Sequence, residues 1–106
     1  MQAGHYSFLQ QEGPLQRLSD ADFALFEQTL IRALDETQDG EVLKWQGAES
    51  GAYGSFQPLE SYEADGVRCR VMRMFSRAGD RQGEMVFDFC RQPDGAWKVA
   101  PRRRSR

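Results

Sequence analysis

Two cysteines, Cys69 and Cys90, constrain the fold of this chain more than any other feature, because Gly79-Asp80 stands midway between them. A glycine at the first central position of a two-residue hairpin suits a type II′ turn. With Gly79 and Asp80 at the centre, the numbers of paired residues sum to 159, and so do those of Cys69 and Cys90. Counting outward from the hydrogen-bonded pair Ala78 and Arg81, the cysteines fall on a non-hydrogen-bonded pair, where Cα atoms approach to about 4.5 Å. That separation lies within disulfide reach, and closing a loop of about 20 residues stabilises a fold by roughly 3 kcal/mol on the chain-entropy model. The competing reading is two reduced, unrelated thiols, the default in a reducing cytosol. A metal site is disfavoured, since two cysteines without a nearby histidine leave zinc short of ligands.

The same register predicts an internal face of Met72, Met74, Met85, Phe87 and Phe89, interrupted by Arg70, with the bridge on the other face beside Val71. Further hairpin signals stand at Ser50-Gly51, Asp65-Gly66 and Pro93-Asp94-Gly95. They divide the chain into five strands, near 41 to 48, 53 to 62, 67 to 77, 82 to 92 and 96 to 100. Two of these turns conflict. Asp65-Gly66 puts Tyr62 opposite Cys69 and Leu59 opposite Met72, in the core, whereas Ser50-Gly51 pairs Trp45 with Phe56 on the opposite face. A bulge at Pro58, which donates no ladder hydrogen bond, resolves the conflict.

Ahead of the strands, Ser19 is a good helix N-cap, with Asp22 three residues on as an approximate capping box and Leu18 and Phe23 placed as a hydrophobic staple. Phe23, Phe26, Leu30, Ala33 and Leu34 recur at helical spacing, and Gly40 supplies a stop, which predicts one amphipathic helix from about Asp20 to Thr37. Residues 1–18 show no clear period and read as an N-terminal arm. The expected fold is therefore α+β, one N-terminal amphipathic helix on a five-stranded antiparallel meander sheet with one disulfide. The domain spans 19–100, between the arm and a basic tail at 101–106.

At 106 residues the chain is one domain in length. Its net charge of −2 conceals an asymmetry: Arg102, Arg103, Arg104 and Arg106 close the chain, and without those four of its 14 basic residues, 10 face 16 acids, a body charge of −6. An acidic body argues against nucleic-acid binding, which needs spread positive surface. No run reaches the roughly 18 apolar residues of a spanning helix, and Met1 to Gln11 lacks the regions of an export signal. His5 is the sole histidine and reads as a surface residue, so His-based triads are excluded by count. Among Glu60, Glu63, Asp65, Asp88 and Asp94 no spacing singles out a carboxylate pair for catalysis. Neither a catalytic residue nor a cofactor is assigned.

The order of punctuating residues resembles the surface-antigen domain of bacterial outer-membrane lipoproteins, the rickettsial surface antigen type. The residues that carry the resemblance are Asp39-Gly40-Glu41, Trp45, Ser50-Gly51, Gly54, Pro58, Tyr62, Asp65-Gly66, Cys69-Arg70, Cys90-Arg91, Asp94-Gly95, Trp97 and Val99. With the helix in front it covers roughly 20 to 100. The resemblance implies a cell-envelope location, in periplasm or outer membrane, and an antigen or structural role without catalysis. That family's lipid-accepting cysteine and glycine-rich segment have no counterpart in these residues.

Three functions follow as expectations. The first is a non-enzymatic envelope domain for structure or interaction. The second is a small periplasmic binding or inhibitor module that recognises a protein or glycan through a loop such as 49–54 or a sheet face; a cytosolic accessory protein with reduced thiols stands third. Candidate partner-binding residues are Trp45, Tyr53, Tyr62, Arg70, Arg91 and Trp97. The aromatics are weighed against core packing, and the two arginines, able to hold a carboxylate, against structural hydrogen bonding. Expected partners are envelope proteins or anionic envelope polymers, with homodimerisation through an edge strand as a further route.

Overall fold

The computed structural model describes residues 3–101, and side chains from Tyr6 onward. The surface position expected for His5 and the basic tail of Arg102, Arg103, Arg104 and Arg106 lie outside the described residues and side chains. One helix, α1 (Asp20–Glu36), packs on a five-stranded antiparallel sheet, β1 (Leu43–Gln46), β2 (Tyr53–Ala64), β3 (Val67–Ala78), β4 (Arg81–Arg91) and β5 (Trp97–Ala100), in the meander order β1-β2-β3-β4-β5.

Helix α1 starts as its sequence dictates, with Ser19 Oγ accepting the Asp22 amide at 3.1 Å. Asp22 does not complete the expected capping box. Its carboxylate accepts instead from the amides of Ser50, at 2.6 Å, and Glu49, at 3.4 Å, so it ties the helix start to the β1–β2 loop. Glycine does not stop the helix either. Thr37 turns extended, four residues after the amide-bonded carbonyl of Ala33, while Gly40 (φ +89°) bends the chain later and donates its amide to Pro58 O.

The central hairpin follows the count made from the sequence: Ala78 pairs with Arg81, and Cys69 faces Cys90 across a Cα–Cα distance of 4.0 Å, joined by a disulfide. The β2–β3 turn places Asp65 (φ 54°) and Gly66 (φ 76°) both in the left-handed region, as a type I′ turn requires. It sets Tyr62 opposite Cys69. The bulge is present, with a correction to its occupant. Pro58 pairs with Met72 and Glu60 with Val71, so Leu59 is the extra residue; it is 44% exposed while Pro58 is buried in the place expected for Leu59.

Strand β1 is two residues out of its expected register. Trp45 faces Gly54, and Leu43 takes the place opposite Phe56, because the loop after β1 holds four residues closed by the Gly47 amide on Ala52 O rather than a two-residue turn. A shift of two preserves the face, so Trp45 and Phe56 stay on the helix side. Gly54 makes this register workable: a Cβ there would collide with Phe75 O and stand 2.8 Å from the Trp45 indole nitrogen. Gly54→Ala is accordingly expected to destabilise the domain by about 2 kcal/mol as an overpacked core does, read as a lowered urea midpoint with unchanged slope.

Phe26 is the hub of the core, its ring 5.3 Å from Phe23, 5.5 Å from Trp45 and 5.2 Å from Phe56. Met72, Met74 and Phe89 are buried in the same cluster, and Met85 and Phe87 pack against it. Residues 3–18 do have a period. They form two 3-10 helices, Ala3–Gln11 and Gly13–Arg17, and Tyr6, Leu9, Leu15 and Leu18 are all buried. Their spacing in multiples of three is the 3-10 repeat. Helix α1 covers the β1–β2 side of the sheet and the second 3-10 helix the β3–β4 side. Tyr6 meets Phe89 edge-on and Phe8 meets Phe87.

Candidate functional site

The sheet has two unlike faces, and the candidate residues divide between them. Trp45 (5% exposed) and Trp97 (1%) belong to the core on the helix side; Trp97 donates its indole N–H to Asp35 at 2.8 Å and accepts the Tyr6 hydroxyl at its carbonyl, 2.5 Å away. Arg91 is exposed at the rim, its guanidinium 5.8 Å from the Trp97 ring centre. It shields the indole rather than offering it.

Arg70 also lies on the helix side, where alternation puts it, and is buried there. Its Nη1 donates to Ala33 O at 3.2 Å and Leu34 O at 2.8 Å, its Nη2 to Asp39 at 2.9 Å and its Nε to Ser61 Oγ at 3.0 Å. The guanidinium thus caps the last turn of α1, opposite the negative end of the helix dipole. The carboxylate it holds is the chain's own.

On the outer face, Tyr62, Cys69, Val71, Asp88 and Cys90 are neighbours by register. Tyr62 donates its hydroxyl to the fully buried Asp88 at 2.5 Å. Toward the Gly79-Asp80 end this face carries Lys44, Gln46, Tyr53, Ser55, Gln57, Arg73, Phe75, Arg77, Gln82, Glu84 and Val86. Tyr53 is 46% exposed with its ring 6.4 Å from that of Phe75. Arg73 Nε donates to Glu84 at 2.7 Å, and Arg77 donates to Gln82 and to Gly79 O. Of the six candidates, only Tyr53 stands open on this surface. Lys44, Arg73, Phe75 and Arg77 were not singled out in the sequence, although the count that pairs the cysteines also puts residues 73, 75 and 77 on the bridge face.

Titration bears on the scaffold. Hydrogen bonds from Ser50 and Glu49 hold the Asp22 carboxyl below its ordinary range, and those from Arg70 and Ser61 do so for Asp39. Burial pushes Glu27 up, with Oε2 lacking a partner among the described residues, and burial with the nearby Asp35 and Glu27 carboxylates pushes the Tyr6 phenol up to about 12. A lowered carboxyl contributes stability that is complete above its unfolded pKa and lost as pH falls through the folded value; the raised Glu27 does the reverse, costing stability at neutral pH and recovering it on mild acidification. Thermal midpoints should rise slightly on mild acidification from neutral pH and fall below about pH 3.8, the ordinary aspartate value. Glu27→Gln should raise the midpoint at pH 7 and flatten the upper arm.

Among the described residues, no three histidine, cysteine, aspartate or glutamate side chains are grouped to hold a metal ion, and no helix is long and apolar enough to cross a membrane. The fold and its bridge define the class: a disulfide-stapled α+β meander domain with a helix on one face and, at the Tyr53 end of the other, an aromatic and basic surface that is exposed among the described residues. Over 83 residues, 77% of its length, the chain is 32% identical to the 17 kDa surface antigens of Rickettsia bellii and Rickettsia rickettsii; over 81 residues it is 32% identical to that of Rickettsia prowazekii. It carries a domain of the rickettsial surface antigen family. The chain spans about half the length of these curated relatives, 52% of the first two and 51% of the third. No protein-family model matches it, and no solved structure matches it significantly.

Proposed function

We propose that this chain is a non-enzymatic domain of the bacterial cell envelope, with a role in structure or interaction. The observation that carries the reading is the Cys69–Cys90 bridge across the central hairpin, in a relative of proteins named as surface antigens. Disulfides form and persist in oxidising compartments, and small exported domains use them to supplement a limited core. The test follows the thiols and the location together. In the source bacterium, the tagged full-length protein is trapped with an alkylating agent without reductant and fractionated. Two cysteines that escape alkylation, in an envelope fraction, support the reading; two alkylated thiols in a cytosolic fraction overturn it.

The second reading, a periplasmic module that binds through a sheet face, is favoured by one observation: the outer face exposes Tyr53 beside Phe75 among basic residues.

A further inference from the structure

From the outer sheet face, and resting on the binding reading just given, we infer that the domain binds an acidic polysaccharide whose sugar rings stack on Tyr53 and Phe75. Its uronate carboxylates are taken by Lys44, Arg73 and Arg77. The first support is where charge sits. Helix α1 carries Asp20, Asp22, Glu27, Asp35 and Glu36 against Arg32, five acids to one base, whereas the Tyr53 half of the outer face carries Lys44, Arg73 and Arg77 against Glu84, three bases to one acid. In a chain of net charge −2 this half of the outer face has the opposite sign to the helix. Such a surface attracts a polyanion and disfavours a neutral or cationic partner.

The second support is the form of the donors. Arg73 and Arg77 lie four residues apart on the same face of β3 with Phe75 between them, about 13 Å along the strand. Glu84 occupies only Nε of Arg73, and Gln82 and Gly79 O occupy Nη1 and Nε of Arg77. Both Nη nitrogens of Arg73, Nη2 of Arg77 and the Lys44 ammonium have no protein partner among the described residues. These guanidinium planes are held in place by neighbours yet keep N–H groups for a carboxylate, the geometry that makes arginine suited to that group. The third support is aromatic. Trp45, Trp97, Phe26, Phe56 and Phe89 are all buried, while Tyr53 stays 46% exposed against Phe75. An aromatic platform flanked by amides, here Gln46, Gln57 and Gln82, presents an apolar surface for the C–H face of a sugar and hydrogen-bonding groups for its hydroxyls.

The purified full chain, bridge intact, is titrated calorimetrically with a galacturonate hexamer, a neutral glucose hexamer and a polyphosphate of similar charge. Binding of the galacturonate hexamer alone, or well ahead of the other two, is expected, weakened on the order of tenfold by Tyr53→Ala, equivalent to about 1.4 kcal/mol. Lys44→Glu with Arg77→Glu should abolish it, and Arg32→Glu on the helix should leave it unchanged. Each variant's thermal midpoint is measured alongside, and because all four positions are exposed or half-buried, a loss of binding with an unchanged midpoint is interpretable. Failure of the hexamer to bind, or equal binding of polyphosphate untouched by Tyr53→Ala, overturns the inference. Neither outcome touches the envelope assignment, which the thiol and fractionation experiment decides separately.

Discussion

Removing the Cys69–Cys90 bridge, by reduction or by the double change Cys69→Ser and Cys90→Ser, should lower the unfolding free energy by about 3 kcal/mol. The bridge closes a loop with a sequence separation of 21, and its effect in the chain-entropy account falls on the unfolded ensemble, whose freedom it restricts. For a domain whose total stability is on the order of 5–15 kcal/mol, that loss moves the urea midpoint by a molar or more. Serine at position 69 adds a second penalty, because Cys69 is fully buried and a hydroxyl there has less to bond than a sulfur has to pack against. Comparison of the reduced protein with the double serine variant separates the two: reduction reports the cross-link, and the extra loss in the variant reports the polar burial. Urea curves that coincide with and without reductant would show that the hairpin turn, not the bridge, closes this loop.

Replacing Arg70 should be about as damaging, for a different reason. Arg70→Met keeps most of the volume but removes every donor, leaving the Leu34 carbonyl without its Arg70 partner and the Ala33 carbonyl with the Thr37 amide alone; the expected loss is about 3 kcal/mol. Asp39 contributes little to that figure, since its side chain is 44% exposed and water can take over its charge. Arg70→Lys should recover only part of the loss, since one ammonium cannot span two helix carbonyls, a carboxylate and a hydroxyl. The Thr37 amide, bonded to Ala33 O at 3.3 Å, serves as a local reporter. Its hydrogen exchange should accelerate in Arg70→Met more than that of amides in β3, and uniform acceleration would mean that Arg70 serves the global fold rather than the helix end.

How far the sequence could be read differs between Arg70 and the cysteines, although the first bond partner of each lies on another element. The cysteines were legible because a hairpin is a local device: one turn fixes the register of every pair beyond it, so twenty residues of distance reduce to a count from Gly79. For Arg70 the sequence indicates the face but not the partner. That a charged residue interrupts the Met72 and Met74 side was evident; that it meets the end of α1 depends on where the helix crosses the sheet. The aromatics show the same division. Alternation assigns Trp45, Tyr53 and Trp97 to faces, but which face is covered is decided by packing, and only Tyr53 was left outside.

The sequence alone determined the features governed by neighbours a few residues apart: the Ser19 cap, the left-handed turn positions at Asp65-Gly66 and Gly79, the alternation of β3 and β4, and hence the facing of Cys69 and Cys90. The tertiary structure alone decided that Leu59 rather than Pro58 is extruded at the bulge, that Asp22 holds the β1–β2 loop instead of closing its own cap, and that Tyr6, Leu9 and Leu15 complete the core over β3 and β4. The reason is physical. Turn and cap preferences are set by backbone sterics and by hydrogen bonds that a short segment makes with itself. The choice among competing buried residues and donors is set by which arrangement leaves the least apolar surface and the fewest polar groups unmatched once all the layers have met.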